Sequence, residues 1–149
     1  MTSGKEKIIP ILAMAVLVIG IISTIYVNAN ENNQRPAGAL IIINENQYSF
    51  NELNEIFQNI TIKTDDGNKI GIPLEKIIPF SEVKCPSCNS YTFKASDSYQ
   101  QTAFWKDVKT GVLTYDEEYN IRVYFSNLAH TFWVYNLIEI EVNSLWMIK

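Results

Sequence analysis

Histidine occurs once in this 149-residue chain, cysteine twice and arginine twice. One imidazole, His130, cannot furnish a histidine-rich metal centre. No Ser/His/Asp grouping, glycine-rich phosphate loop or paired-carboxylate signature surrounds it, which removes the common hydrolase and nucleotide-binding patterns. No second Cys-x-x-Cys accompanies Cys85-Pro-Ser-Cys88, so a single chain cannot by itself supply a four-thiolate zinc knuckle. Positive charge is scarce: Lys and Arg number 12 against 16 Asp and Glu, for a net charge of −4. Without a Lys/Arg stripe, that balance argues against a nucleic-acid partner and against adhesion to an anionic membrane surface. Internal repeats and low-complexity tracts are lacking as well.

What the chain does have is an uncharged apolar run, Ile8 to Val27. As a helix rising about 1.5 Å per residue it would cover roughly 30 Å, the hydrocarbon thickness of a bilayer. Pro10 falls in the first turn, where its missing N–H costs nothing. Lys5 and Lys7 precede the run, and Asn28, Asn30 and Glu31 follow it. The positive-inside bias then puts the N-terminus in the cytoplasm and the rest outside. The competing reading is a cleaved signal peptide ending near Val27-Asn28-Ala29; it also places the remainder outside. The expected partition is a cytoplasmic N-terminus at 1–7, a transmembrane helix at 8–27, a polar linker at 28–38 and an extracytoplasmic domain at 39–149. Setting aside Lys5, Glu6 and Lys7, the chain keeps ten basic and fifteen acidic residues, a net −5.

Within the domain, Ala39–Ile43 reads as a first strand before a turn at Asn44-Glu45-Asn46. Ser49-Phe-Asn-Glu52 reads as a capping box opening a short helix, with Phe50, Leu53, Ile56 and Phe57 at helical spacing. Asn59–Thr64 and Lys69–Ile72 flank Asp65-Asp66-Gly67 as a hairpin. Pro73 opens a second helix that Pro79 closes. Strands follow at Tyr91–Ala95 and Tyr99–Ala103, a helical turn at Phe104–Val108, and strands at Val112–Thr114 and Ile121–Phe125. Phe132–Tyr135 and Leu137–Val142 are β-prone, the latter alternating Ile138, Ile140 and Val142 against Glu139 and Glu141. The expected fold class is α+β, a mixed β-sheet or partly closed barrel with two or three short helices.

Three segments together resemble the oxidoreductase molybdopterin-binding domain of sulfite-oxidase type: Gly71-Ile-Pro-Leu-Glu-Lys-Ile-Ile78, Tyr91 to Ala103 containing Ala95-Ser-Asp-Ser-Tyr99, and Phe132 to Val142. Asp97 and Tyr99 occupy the family's Asp and Tyr places, and Ser98 stands where a glycine is usual. The resemblance implies a sulfite-oxidase-like fold over roughly residues 38–142. Active members bind molybdenum through a cysteine after an early strand. The matching region, Asn59–Lys69, has none, and two arginines are too few for a pterin pyrophosphate pocket. The fold is therefore expected without the cofactor.

Four readings of Cys85 and Cys88 stay open: a structural disulfide, a redox-active pair, half of a zinc site completed by His130 with a carboxylate or a second subunit, and free thiols. Asp97 reads first as a turn former and His130 as a loop residue. Asp97, Tyr99, Trp105, His130 and Trp133 are the candidates for a ligand or partner surface, within an aromatic-rich half that also holds Phe104, Tyr115, Tyr119, Phe132 and Tyr135. The expected function is a membrane-anchored binding or interaction module rather than an enzyme, its partner an envelope protein or a small ligand. The alternative is a redox-linked protein that uses Cys85 and Cys88, or keeps a pterin or metal, within an oxidoreductase complex.

Overall fold

The structure, a computed structural model, describes residues 38–145. The expected span at 8–27 lies outside the described residues, as does the tail from Trp146. Among the described residues no helix is long and apolar enough to cross a membrane.

Short apolar runs separated by turn residues give nine strands and three helices in the described chain. In order these are β1 (Leu40–Ile43), β2 (Asn46–Ser49), α1 (Phe50–Ile56), β3 (Ile60–Thr64), β4 (Gly67–Pro73), α2 (Leu74–Phe80), β5 (Asn89–Ala95), β6 (Gln100–Phe104), α3 (Trp105–Val108), β7 (Gly111–Tyr115), β8 (Ile121–Phe125) and β9 (Leu137–Ser144). They form a five-stranded sheet, β2-β1-β9-β5-β6, and a four-stranded sheet, β3-β4-β7-β8. The first sheet is mixed, because β1 runs parallel to β9 while β1–β2, β9–β5 and β5–β6 are antiparallel.

One apolar cluster joins the two sheets. Ile41, Ile43, Phe93 and Ile140 from the first meet Ile72, Leu113, Val123 and Phe125 from the second, with Leu53, Leu74, Ile77 and Ile78 from the helices. The Phe93 and Phe125 rings meet edge to face at 5.3 Å. Each such side chain, fully buried, contributes about 1.5–3 kcal/mol of transfer free energy. Gly71 lets β4 pass close to β7: a Cβ there would lie 2.2 Å from the Leu113 carbonyl oxygen.

The architecture is mixed α/β with two sheets and no closed barrel, so of the two expected forms the mixed sheet is present and the barrel is not. The segment that would have continued the β8 side toward β9 does not form a strand. His130–Phe132 coil into a 3-10 turn, a single bridge links Val123 to Val134, and Asn136 then takes φ +54°. The first hairpin also differs from expectation. Asn44 and Glu45, both at positive φ, make a two-residue turn that returns directly into β2. Ser49 is paired with Leu40 and makes no side-chain cap to α1, so the capping box is not formed. Helix α2 runs through Pro79 to Phe80, and Ser81 closes it by donating its N–H to Ile77 and its hydroxyl to the same carbonyl. The alternation of β9 breaks at its start. A register shift opposite Lys94 and Ala95 leaves Ile138 exposed while Ile140 is buried.

Candidate functional site

Residues from two turns and the strand ends beside them converge at one end of the domain. The first turn joins β5 to β6. Asp97 accepts the Tyr99 N–H at 3.0 Å, Ser98 takes φ +73°, and Ala95 donates to the Tyr99 carbonyl at 2.8 Å. A side-chain acceptor two residues back is the usual device of an Asp in a turn, so that reading of Asp97 holds. The turn presents the Tyr99 ring, 41% exposed, with its hydroxyl already engaged. The hydroxyl donates to the Thr131 carbonyl and accepts from Gln101 Nε2.

The second turn is the 3-10 coil at His130–Phe132. Trp133 donates its N–H to the His130 carbonyl at 3.0 Å, and the His130 ring stacks on the Trp133 indole at 3.9 Å. Trp133 is 4% exposed, and its Nε1 is buried without a hydrogen-bond partner. Tyr124 of β8 meets the indole edge to face at 5.0 Å and also contacts the Tyr135 ring at 6.1 Å.

Between these turns lies a shallow hollow of about 290 Å³, lined by Asp97, Tyr99, His130, Trp133 and Tyr135. Two cations back its rings. Lys69 sits 5.0 Å from the Tyr124 ring centre and 5.7 Å from that of Trp133, and Arg122 sits 5.0 Å from that of Tyr135. Each cation has its own carboxylate: Asp66 at 3.0 Å from Lys69, and Asp116 at 2.6 Å from Arg122. The hydrogen bond between Lys69 and Asp66 raises the ammonium pKa and lowers that of the carboxyl. Burial raises the Tyr135 phenol. With both cations neutralised locally, Asp97 is the charge that the lining itself presents.

Four of the candidate residues thus meet: Asp97, Tyr99, His130 and Trp133. Trp105 does not join them. It packs from α3 against Tyr91, its ring centre 5.9 Å away. Cys85 and Cys88 lie before β5 while Asp97 follows it, and a seven-residue strand spans roughly 20 Å. Sequence reasoning missed Lys69, Arg122 and Tyr124. Each lies on a strand with no local pattern tying it to Trp133, and only the sheet pairing brings them near.

Cys85 and Cys88 are joined as a disulfide, Cα–Cα 5.3 Å, around a 3-10 turn at Pro86–Cys88. Cys85 is exposed and holds a left-handed backbone, φ +51°. The turn is tied independently of the sulfurs. Asn89 Nδ2 donates to the Lys84 and Cys85 carbonyls at 3.2 and 3.0 Å, Cys88 donates its N–H to Cys85 at 2.8 Å, and the Tyr91 hydroxyl donates to Pro86 at 2.8 Å.

A molybdopterin does not fit the residues present. Both sulfurs are bonded to each other, so neither is a thiolate ligand. The one arginine among the described residues, Arg122, is engaged by Asp116 and Tyr135 rather than facing a pyrophosphate site. Zinc fits no better at the bonded pair, and among the described residues no three His, Cys, Asp or Glu side chains converge to hold a metal ion. No family model matches the chain, and neither a curated protein nor a solved structure matches it.

Proposed function

We propose that this chain is a single-pass membrane protein that holds an extracytoplasmic binding module, and that the hollow at Asp97, Tyr99, His130, Trp133 and Tyr135 receives a small ligand. The observation that carries the reading is the state of the rings. Tyr99 and Tyr135 are 41% and 46% exposed, and the Tyr99 hydroxyl is tied internally, so it offers its face. An immobilised, half-exposed ring loses little entropy when a ligand stacks on it. The apolar run at 8–27 and the lysines before it support the membrane placement, and a bonded cysteine pair suits an oxidising compartment. The fold is proposed as sulfite-oxidase-like without molybdopterin. That proposal rests on the sequence resemblance of residues 71–78, 91–103 and 132–142.

The test uses full-length protein in detergent micelles, with its melting temperature followed against choline, which reads cation–π attraction beside Asp97, and against glucose, which reads stacking of a neutral ring. One of the two is expected to raise the melting temperature in proportion to the logarithm of its concentration. Tyr99→Ala and Tyr135→Ala should abolish the rise. If neither probe moves the wild-type protein, or the variants respond as it does, the hollow is not the binding site.

A further inference from the structure

We propose that the Cys85–Cys88 disulfide is a thiol-exchange site, accepting two electrons from a dithiol carried on a polypeptide, independently of the ligand hollow.

A disulfide that serves as a staple gains most when it closes a long loop. This bond joins residues three apart in sequence. It also closes a turn that four hydrogen bonds already hold, from Asn89, from the Cys88 N–H and from Tyr91. Its removal therefore leaves the local backbone with its own ties. Cys85 is exposed whereas Cys88 is half-buried, so an attacking thiolate reaches one sulfur first. Phe104 is 53% exposed and pairs across the sheet with Ser90, two residues past Cys88 in sequence. That ring gives a polypeptide an apolar foothold that a small hydrophilic thiol would not use.

The exchange balances without further reactants. A thiolate of the partner attacks Cys85 Sγ, the bond to Cys88 Sγ breaks, and the Cys88 thiolate leaves and takes a proton from water. The partner's second thiolate then attacks the sulfur it contributed to the mixed disulfide. A partner disulfide forms, and Cys85 departs as a thiolate. The partner is oxidised by two electrons and the Cys85–Cys88 pair is reduced by two.

The experiment treats full-length protein in detergent micelles, without denaturant, with dithiothreitol and with a reduced Cys-x-x-Cys peptide flanked by leucine, reading the thiols by alkylation and mass. The pair should reduce fully and reversibly. After reduction Cys85 should alkylate about tenfold faster than Cys88, in keeping with its access, and the near-ultraviolet circular dichroism should persist. The peptide should react several-fold faster than dithiothreitol at equal thiolate, and Phe104→Ala should remove that advantage. In Asn89→Ala, where the turn loses two ties, reduction should lower the melting temperature as it does not in the wild type. A pair that resists both reagents, or whose reduction unfolds the wild-type protein, is a staple and overturns the proposal. Equal rates for peptide and dithiothreitol overturn the polypeptide partner. A Tyr99→Ala variant should exchange normally, which separates failure here from failure of the binding hollow.

Discussion

The His130 imidazole lies nearly parallel to the Trp133 indole, 29° between planes and 3.9 Å between centres, and so covers one face of a tryptophan that is otherwise buried. His130→Ala should uncover that face. We expect a red shift of tryptophan emission and a loss of about 0.5–1.5 kcal/mol, read by fluorescence and urea denaturation of the same sample.

Lys69→Met deletes a cation set against Tyr124 and Trp133 while keeping a long apolar stem. The attraction at a partly exposed site is worth about 0.5–1 kcal/mol, so a stability loss of that order is expected. The same change frees Asp66, whose carboxyl is held low chiefly by its hydrogen bond with Lys69. Its pKa should rise toward the ordinary carboxylate range in an NMR titration. An unchanged Asp66 titration would show that the pair does not persist in solution.

Burial pushes the Tyr91 phenol up to about 12. A phenol raised in the folded state favours folding fully below its ordinary pKa of about 10, and that contribution is lost as pH climbs through the folded value. The melting temperature should therefore fall between roughly pH 10 and 12. Tyr91→Phe should start lower, since it forfeits the bond to the Pro86 carbonyl, and then decline less steeply over the same window. Parallel curves for the two proteins would contradict the assignment.

Gly71 and Gly67 should respond differently to alanine. At Gly71 the added carbon meets the Leu113 carbonyl oxygen at 2.2 Å, so backbone must move; a loss of about 3 kcal/mol is expected. At Gly67 nothing lies within 4 Å, and only the φ of +93° opposes a side chain, at about 1–2 kcal/mol. Equilibrium denaturation of both variants should rank them in that order.

Much of the strand layout is legible in the sequence because it rests on local chemistry. Ile121–Phe125 reads as a strand from alternation, and Asp65-Asp66-Gly67 reads as a turn from a glycine whose φ is indeed positive. The errors share one cause, which is that pairing partners are invisible along the chain. Asn44 and Glu45 form a tight hairpin only because Ile43 and Asn46 pair across it. Phe132–Tyr135 has strand composition, yet only the Val123–Val134 bridge is available to it. Four of the five residues lining the hollow stand out in the sequence, but only as separate pairs. Asp97 and Tyr99 lie in one turn, and His130 and Trp133 in one coil, so each pair could be noticed separately. The cations behind their rings arrive from β4 and β8, at sequence distances no motif spans.

The placement of β9 constrains how the domain is made. This strand fills the middle of the five-stranded sheet, between β1 and β5, and it is the last of the described strands in sequence order. A nascent chain halted before Leu137 holds β1–β2 as one hairpin and β5–β6 as another, with no strand between them to join the two. Assembly of this sheet must therefore wait until Leu137–Ser144 has been made, and deleting that strand should leave the two hairpins unjoined and cost the domain its fold.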